Sequence, residues 1–478
     1  MVFSTPLFLF LFLPMVLLVY VLLPGIRSRN VWLLFASLVF YAWGEVGFVL
    51  ILLSSVLANF VLGRAIERGT MPMGRKCLVT LAIVINLGLL AFFKYFNLGI
   101  GALNTLLQAF GAKPVAAVNI PLPLGISFFT FHALSYVIDI YRRKQAAAAN
   151  PADAALYIFF FPQLIAGPIL RWNAIAPQLA GREHSLEKFA VGIRRFVNGL
   201  AKKVLIANTV AWPADQIFSL PASQLSAADA WFGAVCYTLQ IYFDFSGYSD
   251  MAVGLGKMFG FEFLENFQFP YIAQSLRDFW RRWHISLTTW FRDYLYIPLG
   301  GNRVSKARNY LNLVTVFFLC GLWHGASWTF VVWGLYHGLF LVLEHTPFGS
   351  FIERLPRDLR HLYALLVVLV GWVVFRADNF AAAASYLYAM SGLGDATEPQ
   401  LLVRYATNGV LCAILAGIIC STPLLGELKI KLAKAAAHRP RLRAIGCALE
   451  VPGILILLFL STAWLAGGTY NPFIYFRF

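Results

Sequence analysis

Two histidines stand out as groups able to do chemistry. His324 sits inside an otherwise apolar stretch running from residue 309 to 345, and His284 follows the basic pair Arg281 and Arg282 after one tryptophan. A neutral imidazole, with an ordinary pKa of about 6.5, can take the proton of a hydroxyl at neutral pH, which is the task of a general base. Ionisable groups in lipid surroundings are costly and are functional suspects for that reason. The rival reading of His324 is a group that only hydrogen-bonds a neighbouring helix. His337 shares the same stretch, but thirteen residues of straight helix would place it about 20 Å from His324, so both reach one reacting atom only if the helix breaks. Gly325 permits a break, and His337 is otherwise read as packing or support. His132 reads as a core group, and His184, His345, His361 and His438 as loop or span-end residues.

The element that must position His284 shows a helical period. Leu276, Phe279, Trp280, Trp283, Leu287, Trp290, Phe291 and Tyr294 recur at offsets of three, four and seven. Opposite them fall Arg277, Asp278, Arg281, His284, Thr288 and Arg292. The pattern predicts one amphipathic helix in the membrane interface, its rings among acyl chains and its guanidiniums near water. Arg277, Arg281 and Arg282, with Arg303 and Arg308, offer planar charge-assisted donors to phosphate, and anionic lipid would suit them as well as a soluble ligand.

Those groups sit in a chain of 478 residues that is 60% hydrophobic and 13% charged, with a mean hydropathy of +0.71. Such a chain is a polytopic membrane protein rather than a soluble one. The 38 Lys and Arg against 22 Asp and Glu give a net charge of +16. Basic clusters near span ends, such as Arg142, Arg143 and Lys144, assign that excess to cytoplasmic loops, and no nucleic acid partner is expected. The six cysteines have no metal-ligand spacing and read as free, buried thiols. No metal site is expected, and no phosphate loop or Gly-x-Ser-x-Gly elbow is present. Phe8 to Leu23 reads as a retained first span.

Apolar stretches of spanning length, some of them broken, predict about 10 to 12 membrane elements. Gly44, Glu45 and Gly47 interrupt the stretch 31–63, predicting two short helices that return the chain to the side of Arg27 and Arg68. Residues 309–345 divide near Gly325. Two prolines and a glycine in Phe161 to Pro168 predict non-helical backbone at depth, tolerated only beside protein or a cavity. Asp244 and Asp250 must be paired, hydrated or hydrogen-bonded, and read as wall-forming groups. The basic piece 427–443 reads as a loop.

The strings FPQLIAGPILR (Phe161 to Arg171), YFDFSGYSDMAVGLG (Tyr242 to Gly256), FWRRWHISLTTWFRDYLYIPLGGNR (Phe279 to Arg303) and GLWHGA (Gly321 to Ala326), with the opening Met1 to Ser4 and closing Pro472 to Phe476, are together diagnostic. They resemble the membrane-bound O-acyltransferase family, in particular its alginate O-acetyltransferase branch. The resemblance spans nearly the whole chain. It implies an all-α polytopic membrane protein whose 10–12 transmembrane or re-entrant helices surround a central tunnel. Residues 1–478 would form one integral-membrane acyltransferase domain with core motifs 161–171, 242–256, 277–303 and 321–338. By the same resemblance His324 matches the catalytic histidine, and His284 a second histidine of the polysaccharide and teichoic-acid branches.

The expected activity is an inner-membrane O-acetyltransferase with no permanently bound cofactor. It would take acetyl from acetyl-CoA or another cytoplasmic thioester and pass it, through periplasmic partner proteins, to an exported polysaccharide. Alternatives are another acyl group or acceptor, as in D-alanylation of teichoic acid or peptidoglycan O-acetylation. Outside that class stand a transporter, disfavoured by the lack of internal repeats, and an inactive scaffold.

Overall fold

A computed structural model of the chain describes residues 1–116, 120–393, 401–436, 440–468 and 470–474, with no strand among them. Gly25–Arg68, Pro72–Ala109, Arg357–Arg376 and Ala448–Ala466 are each long and apolar enough to cross a membrane. A fifth span arises if Asn408–Cys420 and Leu424–Ala435, bent by 63°, count as one broken helix. Four shorter apolar helices accompany them: Phe8–Leu22, Ile126–Tyr141, Trp328–Leu343 and Phe380–Met390. Only 22% of the apolar window in Pro72–Ala109 is buried. In water that face would be an aggregation liability, whereas lipid covers it at no cost.

The described residues form two compact units, Met1–Ile193 with Ala252–Leu264, and Arg194–Met251 with Glu265–Phe478. In the first, the break near Gly44 is present but its consequence differs from expectation. Gly25–Glu45 passes through one 3-10 turn, Val46–Phe48, into Val49–Arg68, so that Gly25–Arg68 reads as a single 44-residue helix rather than a hairpin. Glycine loosens a helix without obliging it to turn back, and Arg27 and Arg68 therefore lie at opposite ends. Asn59 ties this helix to Pro72–Ala109, exchanging amide hydrogen bonds of 3.0 and 2.7 Å with Asn86.

The proline-bearing segment breaks the helix as predicted, although its first four residues keep one helical turn. Helix Pro151–Phe159 gives way to a single turn, Phe161–Leu164, and the chain then runs irregularly to Arg171. Packed protein satisfies it: Phe161 N donates to Ser37 Oγ at 3.1 Å, and the Tyr157 hydroxyl to Leu170 O at 2.9 Å. Gly125, at φ +76°, allows that close approach, since a Cβ there would stand 2.7 Å from Leu164 O.

In the second unit, Lys306–His324 and Trp328–Leu343 form a hairpin. Around it gather Trp280, Trp283 and Trp372, and Trp333 stacks on Trp372 at 6.0 Å. Asp244 and Asp250, from helix Ala227–Met258, are both paired, as their depth requires. Asp244 meets Lys203 at 2.7 Å, and Asp250 meets Lys202 and Arg195, each at 2.7 Å. The loop expected over 427–443 is largely helical, within Leu424–Ala436 and Pro440–Ala466; His438 and Arg439 lie outside the described residues, as do Tyr475 and Phe476. Cys236 and Cys320 are free and buried as expected, but Cys77 and Cys412 are exposed on helix faces.

Candidate active site

The hairpin ends its first helix at His324. Ser305 caps the start, its Oγ accepting from Arg308 N at 3.4 Å, and Gly325 leaves helical geometry at φ −172°. Ser327 then caps the second helix. The two helices can approach because Gly321 and Gly334 lack side chains: a Cβ on Gly321 would collide with Phe330 O, and one on Gly334 with Phe317 O. His324 is thereby left half-buried at the turn, against Trp323 at 4.7 Å, Trp333 at 4.9 Å and Phe375 at 5.2 Å between ring centres.

The same turn brings His337 back toward His324. Its ring lies 5.1 Å from Trp333 and 5.1 Å from Trp280, fully buried. Neither ring nitrogen has a hydrogen-bond partner among the described residues. Trp333 thus touches both histidines, and His337 packs in the aromatic cluster that flanks His324.

His284 lies on a different construction, and here the predicted single helix is corrected. Leu276–Arg282 stops at Trp283, which is extended; His284 is left-handed at φ 43°, and Ile285–Phe291 follows. A left-handed non-glycine residue costs about 1–2 kcal/mol and persists only where its surroundings impose it. Asn266 supplies that restraint. Its carbonyl accepts from Ile285 N at 2.9 Å, while its Oδ1 accepts from Ser286 N at 3.2 Å and from Ser286 Oγ at 2.9 Å. At the other end of the hook, the Glu344 carboxylate accepts from Leu276 N at 2.6 Å and Arg277 N at 3.1 Å, which ties the hook to the hairpin.

The aromatic stripe is likewise not among acyl chains. Phe279, Trp280, Trp283, Leu287, Trp290, Phe291 and Tyr294 are all buried in protein, with Trp280 against Phe317 and Trp283 against Trp372. Periodicity identifies an apolar face but not the apolar medium that covers it. His284 itself is not on a solvated face: it is 1% exposed and stands edge-on to Phe245 at 4.6 Å. Burial pushes its pKa down to about 3, so the ring is neutral at pH 7. Its Nε2 has no partner among the described residues. Trp323 lies 6.3 Å from His284 and 4.7 Å from His324, and so neighbours both predicted site histidines.

The three arginines are placed unequally. Arg282 pairs with Asp278 at 2.8 Å, Arg277 reaches Glu344 O at 3.5 Å, and Arg281 is exposed. Sequence reasoning passed over Trp323, Trp333, Asn266 and Glu344. Glu344 left a trace, as a carboxylate at the end of a long apolar stretch; Asn266 left none, because its partner Ser286 lies 20 residues away along the chain.

A helical chain with several apolar spans thus presents a half-buried histidine at a helix break and a second, buried one near the same tryptophan. The chain belongs to the membrane-bound O-acyltransferase family, whose model matches residues 118–385, and it is an O-acyltransferase. It is 42% identical over 503 residues to the "Probable alginate O-acetylase AlgI" of Azotobacter vinelandii, with 100% of both chains covered. A protein of the same description from Pseudomonas aeruginosa is 40% identical, again over 100% of both chains. The "Peptidoglycan O-acetyltransferase" of Helicobacter pylori is 38% identical over 82% of this chain and 80% of its own.

Proposed function

We propose that this O-acyltransferase moves acetyl from a cytoplasmic thioester, acetyl-CoA, across the bacterial inner membrane for O-acetylation of an exported, alginate-like polysaccharide, with periplasmic partner proteins completing the delivery. The observation that carries the reading is the placement of His324: half-buried at a helix break, with Trp323 close to both it and His284. The acetyl group follows from the named activities of the alginate and peptidoglycan relatives, which differ in polymer.

His324 acts as general base. It takes the proton of an acceptor hydroxyl as that oxygen attacks the thioester carbonyl; the C–S bond then breaks, the thiolate recovers the proton from the imidazolium, and an O-acetyl ester remains. His284, held neutral, orients the thioester or donates to the oxygen on which negative charge develops. Exposed Arg281 receives donor phosphate, and Arg277 and Arg282 support it from positions already braced by Glu344 and Asp278. Membrane lipid covers the apolar faces. A tunnel meeting at His324 would let donor and acceptor approach from opposite sides of the bilayer.

The test supplies the purified protein with radiolabelled acetyl-CoA and a periplasmic partner from the same organism, with a D-alanyl carrier protein in a parallel arm. Acetyl transfer or thioester hydrolysis that disappears in His324→Ala supports the reading. Turnover of the D-alanyl thioester alone reassigns the acyl group, and acetyl turnover undiminished in the variant removes His324 from the chemistry.

A further inference from the structure

A cavity of about 1050 Å³ in the second unit is not used by the chemistry above. Both Arg195 and Thr209 line it, and fourteen residues of helix place them about 20 Å apart. That exceeds half of the ~30 Å hydrocarbon core, so the slot is as deep as one leaflet.

Its two ends differ in chemistry. At one, Arg195 and Lys202 stand with Asp250 and Glu265; Arg195 bonds both acids, and Lys202 bonds Asp250. The side chains of Arg195, Lys202 and Glu265 remain 31%, 30% and 53% exposed, while Asp250 is 12% exposed. The end therefore offers two accessible cations with an acid at the rim, and no net charge. Away from it the wall is apolar, including Ala413 and Ala416 from Asn408–Cys420 and Leu457 from Pro440–Ala466. Ser246 also lines the cavity. It is 2% exposed, and its hydroxyl has no partner among the described residues. A buried hydroxyl in that state forfeits a hydrogen bond unless something else enters. Ala448–Ala466, which carries Leu457, has only 6% of its apolar window buried.

We infer that this cavity is a binding site for one zwitterionic glycerophospholipid of the phosphatidylethanolamine type. The phosphate lies against Arg195 and Lys202, the ammonium against Glu265, an ester carbonyl accepts from Ser246, and an acyl chain fills the wall between Ala413 and Leu457. An anionic headgroup fits less well, because Asp250 and Glu265 already cancel both cations.

The test is native mass spectrometry of the intact, detergent-solubilised protein after exchange against mixed micelles containing equal phosphatidylethanolamine and phosphatidylglycerol. The wild type should retain one phosphatidylethanolamine, at least tenfold in excess of phosphatidylglycerol. Filling the slot with Ala413→Trp and Ala416→Phe should lower that retention at least tenfold. Glu265→Lys, a substitution at an exposed position that avoids any packing defect, should reverse the headgroup preference. Equal or greater retention of phosphatidylglycerol by the wild type, no retained lipid, or a preference unchanged by Glu265→Lys overturns the assignment. So does displacement of the lipid by acetyl-CoA, which would make the slot a donor path.

Discussion

The two site histidines are held by opposite means. His324 ends a regular helix at a glycine, half-buried, with its position set by how closely two helices pack. His284 is buried and left-handed, in a hook whose geometry depends on hydrogen bonds from Asn266 and Glu344. An unstrained group with one side open can exchange protons with a substrate; a strained, enclosed one is fixed in orientation and protonation. The difference fits the proposed division of labour, with proton transfer at His324 and positioning at His284.

The contrast breaks most sharply if the open histidine is dispensable. His324→Ala should lower acyl transfer by about 10²–10⁴-fold, the usual worth of a general base, while membrane abundance and unfolding temperature stay near wild type. An activity within threefold of wild type would remove His324 from the chemistry. The hairpin packing should show the reverse pattern, with stability lost first. Gly334→Leu drives a side chain into the Phe317 carbonyl and should cost about 3 kcal/mol or prevent accumulation altogether, as read by thermal unfolding in detergent.

The same contrast explains what the sequence could disclose. The hairpin break and the break in the helix after Phe159 were legible because glycine and proline act locally, on their own backbone. That Asp244 and Asp250 need compensation was legible because a buried charge is costly, but the choice of ion pairing over hydration or hydrogen bonding comes from the structure. The hook was not. One left-handed residue leaves the 3.6 period of Leu276 to Tyr294 undisturbed, and composition cannot distinguish burial against Trp333 and Trp372 from burial in lipid. The glycines near residue 44 marked a break correctly but carried no information about its angle.

The hook itself is sharpened through Glu344. Replacing it with alanine leaves two backbone N–H groups at the start of Leu276–Arg282 without their acceptor, a loss of about 1–3 kcal/mol. Because the carboxylate joins hook to hairpin, kcat should fall about tenfold with KM for the donor nearly unchanged, and Glu344→Gln, which keeps one acceptor oxygen, should recover part of it. A change confined to KM would mean that Glu344 serves donor binding through Arg277 instead.

The smallest effect comes from the buried imidazole as a titrating group. In the unfolded chain His284 takes a proton near pH 6.5; folded, burial holds its pKa down to about 3. Above pH 6.5 the ring is neutral in both states and its contribution to stability is fully present. As the pH falls from 6.5 toward 3, the unfolded state binds a proton that the folded state refuses, and the contribution is progressively lost, by somewhat under 1 kcal/mol at pH 6. His284→Asn tolerates the left-handed backbone and carries no titration. The unfolding midpoint of the wild type, measured relative to this variant, should therefore drop between pH 7.5 and pH 6. A constant difference would mean that His284 is hydrated or paired, and that the enclosed histidine is as open to protons as His324.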